Sequence, residues 1–557
     1  MRSKEERRYA ESQPLILTPH PSPPKKLYTQ SCKPKIDTGG GVEVELKLLI
    51  APADVSRLRR FTAPDGWSRS APCQRKLLSI YFDSDDLFLW RRSVALRVRR
   101  DGRRWIQTVK GGGSVQAGLH SRIEIEAQVA SDHPDFAKIS DPALGELFQS
   151  PELQGRLKPM FTTEFRRTIW LLESAQGDLV EMALDQGEIH APDTGSPISE
   201  VELELKGGNP AALYELALAL LNVVPLRLEN ASKAERGYAL CVAPPPPQPQ
   251  PVKARAPDLH GNVTAEQAFQ AIAWSCISHL QCNHNGLLVG EDVEYVHQMR
   301  VAMRRLRSAM GLFAKIAPAI RDLSLIGEMR WLAGELGAVR DWDVFVTETL
   351  PPILSHTLDD QALRQLLERA RAICADNRER ARCAADAPRY QKLLLRLGAW
   401  LNRAAWRTES GKDSLKILDR PILAASGRLL DKRHKQLLER GANLAAMSAP
   451  ERHALRIAGK KLRYAAEFLA HLYPGAETQA YLKAQARLQD ILGVLNDHVV
   501  TRRLLDELEE NGRQDTLQAM AIGEIMGWNA CQASLHLAAL NQAWEEFKGR
   551  KRFWKKG

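Results

Sequence analysis

The sequence predicts a multidomain α+β protein, an antiparallel β domain followed by an all-α domain. Three observations carry this expectation. Before residue 243, apolar and charged residues alternate with period two in several segments. A proline-rich stretch, Pro244-Pro245-Pro246-Pro247-Gln248-Pro249-Gln250-Pro251, then interrupts the pattern. Beyond it the period becomes helical, and a 156-residue internal repeat emerges. A chain of 557 residues is also too long for one hydrophobic core.

Residues 1–40 are rich in Pro, Ser, Lys and Gly without a sustained apolar period, and are expected to form a disordered arm. The first domain is expected over 41–243, a stiff proline linker over 244–256, the helical domain over 257–547 and a basic tail over 548–557. No run approaches the roughly 18 apolar residues of a spanning helix. No apolar segment follows the charged start Met1-Arg2-Ser3-Lys4-Glu5-Glu6-Arg7-Arg8. Eight scattered cysteines suit a reducing cytosol better than a disulfide scaffold. The expected location is therefore cytoplasmic, without a membrane partner.

The formal charge of +11 is unevenly distributed. Residues 1–40 carry 8 basic and 4 acidic groups, residues 41–243 carry 25 and 28, and residues 244–557 carry 45 and 35. The surplus thus sits in the helical half, where it points to a polyanionic partner.

Within the β domain, Val42-Glu43-Val44-Glu45-Leu46-Lys47-Leu48 alternates strictly. So do Ala95-Leu96-Arg97-Val98-Arg99, Ser121-Arg122-Ile123-Glu124-Ile125-Glu126 and Glu200-Val201-Glu202-Leu203-Glu204-Leu205-Lys206. Residues i and i+2 share a strand face, so each strand has one apolar and one ionised face. A solvated outer face explains any single strand. Segregation into acid-rich and base-rich strands asks for more: closed with charges inward, such strands line a tunnel. Carboxylates and cations together suit a divalent metal bound to a polyphosphate.

These residues resemble the CYTH domain of the triphosphate tunnel metalloenzymes. Glu43-Val44-Glu45-Leu46-Lys47 is similar to the family's ExExK signature, Tyr81-Phe82-Asp83-Ser84 to its YFDT segment and Leu96-Arg97-Val98-Arg99 to its LRxR strand. Thr108-Val109-Lys110, Arg122-Ile123-Glu124-Ile125-Glu126, Arg167, Asp185-Gln186-Gly187-Glu188-Ile189, the Glu200–Leu205 strand and Ser232-Lys233 through Tyr238 follow in family order. Ser84 stands where the family has Thr and keeps the hydroxyl. The resemblance implies an eight-stranded antiparallel β tunnel with flanking helices that uses Mg²⁺ or Mn²⁺ on triphosphates. Glu43, Glu45, Asp185, Glu202 and Glu204 would hold metal. Lys47, Arg97, Arg99, Lys110, Arg167 and Lys233 would clamp phosphoryl oxygens, and Arg122 and Glu124 would shape the far wall. Two neighbouring features carry no chemistry in this reading. The run Lys110-Gly111-Gly112-Gly113-Ser114 lacks a phosphate-loop pattern and is expected as a flexible hairpin. The segment 211–221 is expected as an amphipathic helix covering the barrel.

In the helical half, His297-Gln298-Met299-Arg300 continues to Arg304-Arg305-Leu306-Arg307, and His453-Ala454-Leu455-Arg456 to Lys460-Lys461-Leu462-Arg463. A second match, Leu336 to Asp341 and Leu492 to Asp497, keeps the same offset. Positions 0, +3, +7 and +10 share a helix face. His297, Arg300, Arg304 and Arg307 therefore make one basic stripe, and His453, Arg456, Lys460 and Arg463 its twin. A solvated face explains one basic helix, but solubility requires no matched spacing. Facing stripes would form a groove for an extended polyanion, with Asp341 and Asp497 orienting the basic groups. The words His297-Gln298-Met299-Arg300-Val301, Arg340-Asp341-Trp342-Asp343-Val344 and Lys461-Leu462-Arg463-Tyr464 resemble the CHAD domain, the conserved-histidine α-helical family. That resemblance implies two pseudo-repeated helical bundles of four helices each and binding of inorganic polyphosphate, with association with polyphosphate granules. Asn496 stands opposite Arg340 in the repeat, so the groove's two ends are not equivalent. Cys276, His279, Cys282 and His284 invite zinc, but crowd one predicted helix without separated ligand pairs.

The leading expectation is a metal-dependent inorganic triphosphatase joined to a polyphosphate-binding domain. The same tunnel suits a nucleoside or thiamine triphosphatase or a class IV adenylate cyclase. A non-catalytic polyphosphate or nucleic-acid binder is the third reading. Nucleic acid ranks below inorganic polyphosphate because no aromatic interrupts the stripes.

Overall fold

The computed structural model describes residues 41–116, 118–242, 250–356, 360–510 and 516–555. The expected arm at 1–40 and the linker's residues 244–249 lie outside the described residues. The described residues form two compact units, one made of those up to residue 242 with Leu394–Arg403, the other of those from residue 250 to Leu393 and from Ala404 onward.

Eight strands build the first unit: β1 (Gly41–Ile50), β2 (Cys73–Asp83), β3 (Val94–Asp101), β4 (Arg104–Gln116), β5 (Leu119–Val129), β6 (Lys158–Ser174), β7 (Leu179–His190) and β8 (Gly195–Gly207). They pair antiparallel in the order β1-β5-β4-β3-β2-β6-β7-β8, and β8 returns to β1. The sheet is thus a closed barrel with no free edge among these strands. Three-residue strands Trp67–Arg69 and Leu226–Leu228 extend β6 and β1. The alternating segments all lie in barrel strands, and their charges point inward, against the solvated-face alternative. The apolar face has cover of its own: Leu96, Val98, Val109 and Ile125 pack with Phe148 and Leu153 of two short helices.

The glycine run after Lys110 differs from expectation. It continues β4 as a bulge, with a register shift between Gly111 and Ser114. Gly113 has φ +97° and lies against the Ser121 carbonyl, so no side chain fits there. Gly187 of β7 likewise lets the β6 backbone at Glu164 approach where a Cβ would collide. The Tyr81–Ser84 motif is structural at its end. Asp83 is buried and accepts from the backbone N–H groups of Ser84, Leu89 and Trp90, closing the turn after β2.

Helix α1 (Ala211–Leu221) packs on β1 and β8. Helix α2 (Lys233–Cys241) starts at Ser232 in a capping box with Glu235, which fixes the direction of its first turn.

The second unit contains two sets of four long helices: α3 (Ala265–Val289), α4 (Glu294–Phe313), α5 (Leu323–Val344) and α6 (Gln361–Asp386), then α7 (Leu423–Arg440), α8 (Ala449–Leu469), α9 (Ala476–Glu510) and α10 (Thr516–Lys548). Displacement by 156 residues lays each helix of the first set on its counterpart in the second. The sets meet where α4 packs on α8 and α6 on α10. In the C-terminal basic run, Phe553 and Trp554 are buried against Tyr481, and Trp554 Nε1 donates to Asp431. Among the described residues no helix is long and apolar enough to cross a membrane.

Candidate functional site

Strand register assembles the tunnel. Directly opposite residues on paired strands have neighbouring side chains. Lys47 lies opposite Glu202, Glu45 opposite Glu204, Lys110 opposite Glu124 and Arg167 opposite Asp185. Ion pairs follow. The Lys47 ammonium is 2.5 Å from Glu202 and 2.6 Å from Glu45. Lys110 is 2.5 Å from Glu43 and 3.3 Å from Glu124, and Arg97 is 3.3 Å from Glu124. Arg167 grips Asp185 with two N–H groups, at 2.7 and 2.6 Å, and also donates to Glu202. From α2, Lys233 reaches Asp185 at 2.7 Å, Glu202 at 3.0 Å and also Glu200. Arg122 is held 3.0 Å from Glu235.

Buried charge tunes these groups. Burial opposes ionisation of Lys47, but Glu202, Glu45 and Glu200 outweigh it and hold the ammonium above its usual range. Burial likewise opposes ionisation of Glu202, yet Lys233, Lys47 and Arg167 hold its carboxyl well below the usual range. Arg99 is different. Burial and the nearby Arg97 and Arg167 push it down to about 10. Its Nε donates to Ser79 Oγ at 3.0 Å, and among the described residues it makes no ion pair. Phe165 lies beneath it, with Arg99, Arg167 and Lys233 each within 6 Å of the ring centre, at 5.8, 5.7 and 5.1 Å.

The donor set fits a hard divalent cation. Asp185, Glu200 and Glu202 are buried and bring carboxylate oxygens within 4.8 Å of one another. Burial pushes Glu204 up to about 7 despite Lys206 at 2.5 Å, and Glu43 and Glu181 add like charge. Such crowding is what a divalent cation relieves. Sequence reasoning did not assign Glu200 or Arg236, which pair with each other. The signals were present: Glu200 is two residues before Glu202 on the same strand face, and Arg236 is one helical turn beyond Lys233. Tyr81, Phe165 and Ser79 left no such signal, because only the closed barrel brings them to the cations.

In the helical unit, packing of α4 on α8 brings part of the two stripes together. His297 is pushed down to about 4 by burial and by Arg340, Arg304, Arg300 and Lys460. Lys460 is pushed down to about 7 by burial, Arg304, Arg456 and Arg300, with Asp497 opposing. Arg300 donates to the Gly337 carbonyl at 2.8 Å and to Asp341 at 3.3 Å. Among the described residues, the buried Nε atoms of Arg304 and Arg456 have no hydrogen-bond partner. The cluster therefore comprises His297, Arg300, Arg304, Arg340, Arg456 and Lys460. The stripe ends lie elsewhere. His453 is exposed beside Asn496, 2.8 Å away. Arg463 is tied to Glu467 at 2.8 Å. Arg307 sits near Arg330. The zinc alternative has no support in the geometry: His279 is 2.9 Å from Gln298 Oε1, His284 stacks on Tyr390, and Cys282 is exposed.

Comparison with known proteins follows the same division. Residues 41–238 match the model of the CYTH domain and residues 271–506 that of the CHAD domain. The inorganic triphosphatase of Haemophilus influenzae is 36% identical over 199 residues, 36% of this chain and 54% of that protein. The chain thus spans about half the length of this curated relative. An uncharacterized protein of Mycobacterium tuberculosis is 26% identical over 489 residues, 83% of this chain and 88% of that one. The crystal structure of the CHAD domain from the plant Ricinus communis is 36% identical at a TM-score of 0.48, covering 54% of this chain and 98% of that one. The chain belongs to the CYTH and CHAD families, with its CYTH domain at residues 41–238 and its CHAD domain at residues 271–506.

Proposed function

We propose that the protein is a metal-dependent inorganic triphosphatase whose helical domain binds inorganic polyphosphate. The observation that carries the first half is Arg99: a buried guanidinium crowded by Arg97 and Arg167, with no ion pair among the described residues. A phosphoryl group placed there removes the repulsion. The matching name of the Haemophilus influenzae relative supports the same reaction. Arg97, Arg99, Lys110, Arg167, Lys47 and Lys233 bind phosphoryl oxygens from several sides and fix the chain in line for attack by water. Their fixed charges stabilise the negative charge on the transferring group without reorganisation. Phe165 and Tyr81 keep that region dry, which strengthens each contact. Glu43, Glu45, Asp185, Glu202 and Glu204, with Glu200 beside them, would hold Mg²⁺ or Mn²⁺. Such an ion supplies further charge neutralisation on the phosphoryl oxygens. Most of the groups gathered in the interior are charged and match phosphoryl oxygens and a metal rather than a base, which favours tripolyphosphate over nucleoside or thiamine triphosphates and over cyclase chemistry.

For the helical domain, the support is a cluster whose bases are held below their usual ranges by burial and by one another. An anion relieves that repulsion, and an extended phosphate chain relieves it along the whole α4/α8 contact. The test is phosphate release from tripolyphosphate, ATP and thiamine triphosphate with Mg²⁺ or Mn²⁺, beside polyphosphate binding at several salt concentrations. Metal-dependent release fastest from tripolyphosphate is expected. Absence of release from every substrate overturns the enzyme reading, and salt-independent or absent chain binding overturns the second.

A further inference from the structure

The helical domain is a repeat in sequence but not in charge. Three residues beyond Arg304 on α4, about 4.5 Å further along the axis, stands Arg307. Helix α7 comes over this end of α4, since Arg433 Nη2 donates to the Gly311 carbonyl at 2.8 Å. Lys461 adjoins Lys460 on α8. Its ammonium is held below its usual range by burial and by Arg433, Arg440, Arg321 and Arg307, which gathers these groups around it. Arg330 acts in the same sense on Arg307. None of the six cations makes an ion pair among the described residues.

The positions 156 residues away carry no such patch. Arg307 corresponds to Arg463, which is tied to Glu467. Arg321 corresponds to Glu477 and Arg330 to Ala486. Arg433 corresponds to buried Ile277, and Arg440 to His284, whose ring is 4.7 Å from that of Tyr390. Lys461 corresponds to Arg305, which is buried and paired with Glu467. One flank therefore gathers six cations without an ion pair among the described residues, five at least partly exposed and Arg433 buried behind them, where its twin offers neutralised or apolar groups.

We propose that Arg307, Arg321, Arg330, Arg433, Arg440 and Lys461 form a second, one-sided phosphate-binding patch, over which an inorganic polyphosphate chain held at the central cluster leaves in one direction. This rests on the reading of the central cluster as a polyphosphate site. Guanidinium and ammonium groups alone recognise phosphate oxygens, whereas bases need stacking partners that the patch does not supply. The chain's polarity-free backbone makes direction depend on the protein, and the patch supplies that asymmetry.

The test uses the full chain with short and long inorganic polyphosphate and a single-stranded oligonucleotide, across a salt series. The variant Arg321→Gln, Arg330→Gln, Lys461→Gln removes three exposed charges from the patch. Lys483→Gln, Arg487→Gln, Lys551→Gln removes three from the opposite flank. The patch variant should lower the slope of log affinity against log salt by about 2 for long chains, with about a tenfold loss of affinity at moderate salt. Short chains should bind as before, and the control variant should bind long chains as the parent does. Equal losses in both variants, or none in either, overturn the proposal. A loss confined to the oligonucleotide also overturns it and assigns the patch to nucleic acid. Loss of chain binding in Arg300→Ala, Arg456→Ala with none in the patch variant retains the central site and removes the patch alone. No polyphosphate binding by the parent protein removes both.

Discussion

The tunnel and the helical cluster are both built from Arg and Lys, yet their charge logic is opposite. In the tunnel nearly every cation faces a carboxylate, so Lys47, Lys110, Arg97 and Arg167 are held above their usual ranges. In the cluster the cations crowd one another, with Asp341 on Arg300 and Glu348 on Arg340 as partial counterweights, and burial together with the neighbouring cations holds Arg300, Arg456 and Lys460 below theirs. A site meant for metal and phosphate together needs both signs present before either arrives. A site meant for phosphate alone can leave its cations unsatisfied, and the stored repulsion becomes affinity when the anion binds. Arg99 is the tunnel's single departure from its own rule, and it behaves like a residue of the cluster.

The strongest way to break this contrast is Lys47→Ala. It removes a phosphate clamp and leaves Glu202 and Glu45 facing each other in a buried site. Activity on tripolyphosphate should fall by about 10³, and stability by about 3 kcal/mol, from the buried charge left unpaired. Arg167 and Lys233 still face Glu202, so the barrel should remain folded. Steady-state rates and denaturant melts check both numbers.

Arg99→Met separates function from folding. The substitution should cost about 10² in rate, because a phosphoryl contact is lost. It removes a buried cation that has no carboxylate partner, so the melting temperature of the free protein should hold or rise. A fall in stability like that of Lys47→Ala would show that Arg99 is satisfied in the free protein after all.

Much of this contrast was legible in the sequence, and the reason is periodicity. Period two placed Glu43, Glu45 and Lys47 on one face of β1, and the 156-residue repeat predicted the matching helices α4 and α8. What periodicity cannot give is pairing. That β8 closes on β1, with Lys47 opposite Glu202, joins residues 155 apart and depends on tertiary register. The same limit hid Phe165 beneath three cations. The stripe on α8 departs from the expected groove at Arg463 for a local reason that the sequence contains: Glu467 stands four residues later, and a pair at that spacing neutralises the arginine. The glycine run after Lys110 was under-read, because a bulge depends on the opposing strand.

On the cluster side, Arg300→Ala together with Arg456→Ala should weaken binding of long polyphosphate by about 30-fold and flatten its salt dependence by about 1.4 in slope. Both side chains line the α4/α8 contact, and Arg300 also holds Asp341. Circular dichroism should show the helices retained, since neither residue belongs to the apolar core. Binding unchanged by this double substitution would remove the contrast altogether, leaving the cluster without a ligand.

The smallest effect is also the most specific, a pH dependence set by Lys460. Burial, Arg304 and Arg456 hold its ammonium down at about 7. Its folded value lies below its unfolded one, so the unfolded chain binds more protons above that pH. The free protein should therefore gain stability as pH rises from about 7 towards the ordinary lysine range. Chain binding needs the charged form and runs the other way: affinity should fall by up to about tenfold between pH 6 and pH 8. His297, held at about 4, is neutral throughout and adds nothing to this slope. Lys460→Arg keeps the charge at every pH and should abolish the dependence while preserving binding. A slope that persists in Lys460→Arg would assign the titration to another group, and the cluster's stored repulsion would no longer be what tunes its affinity.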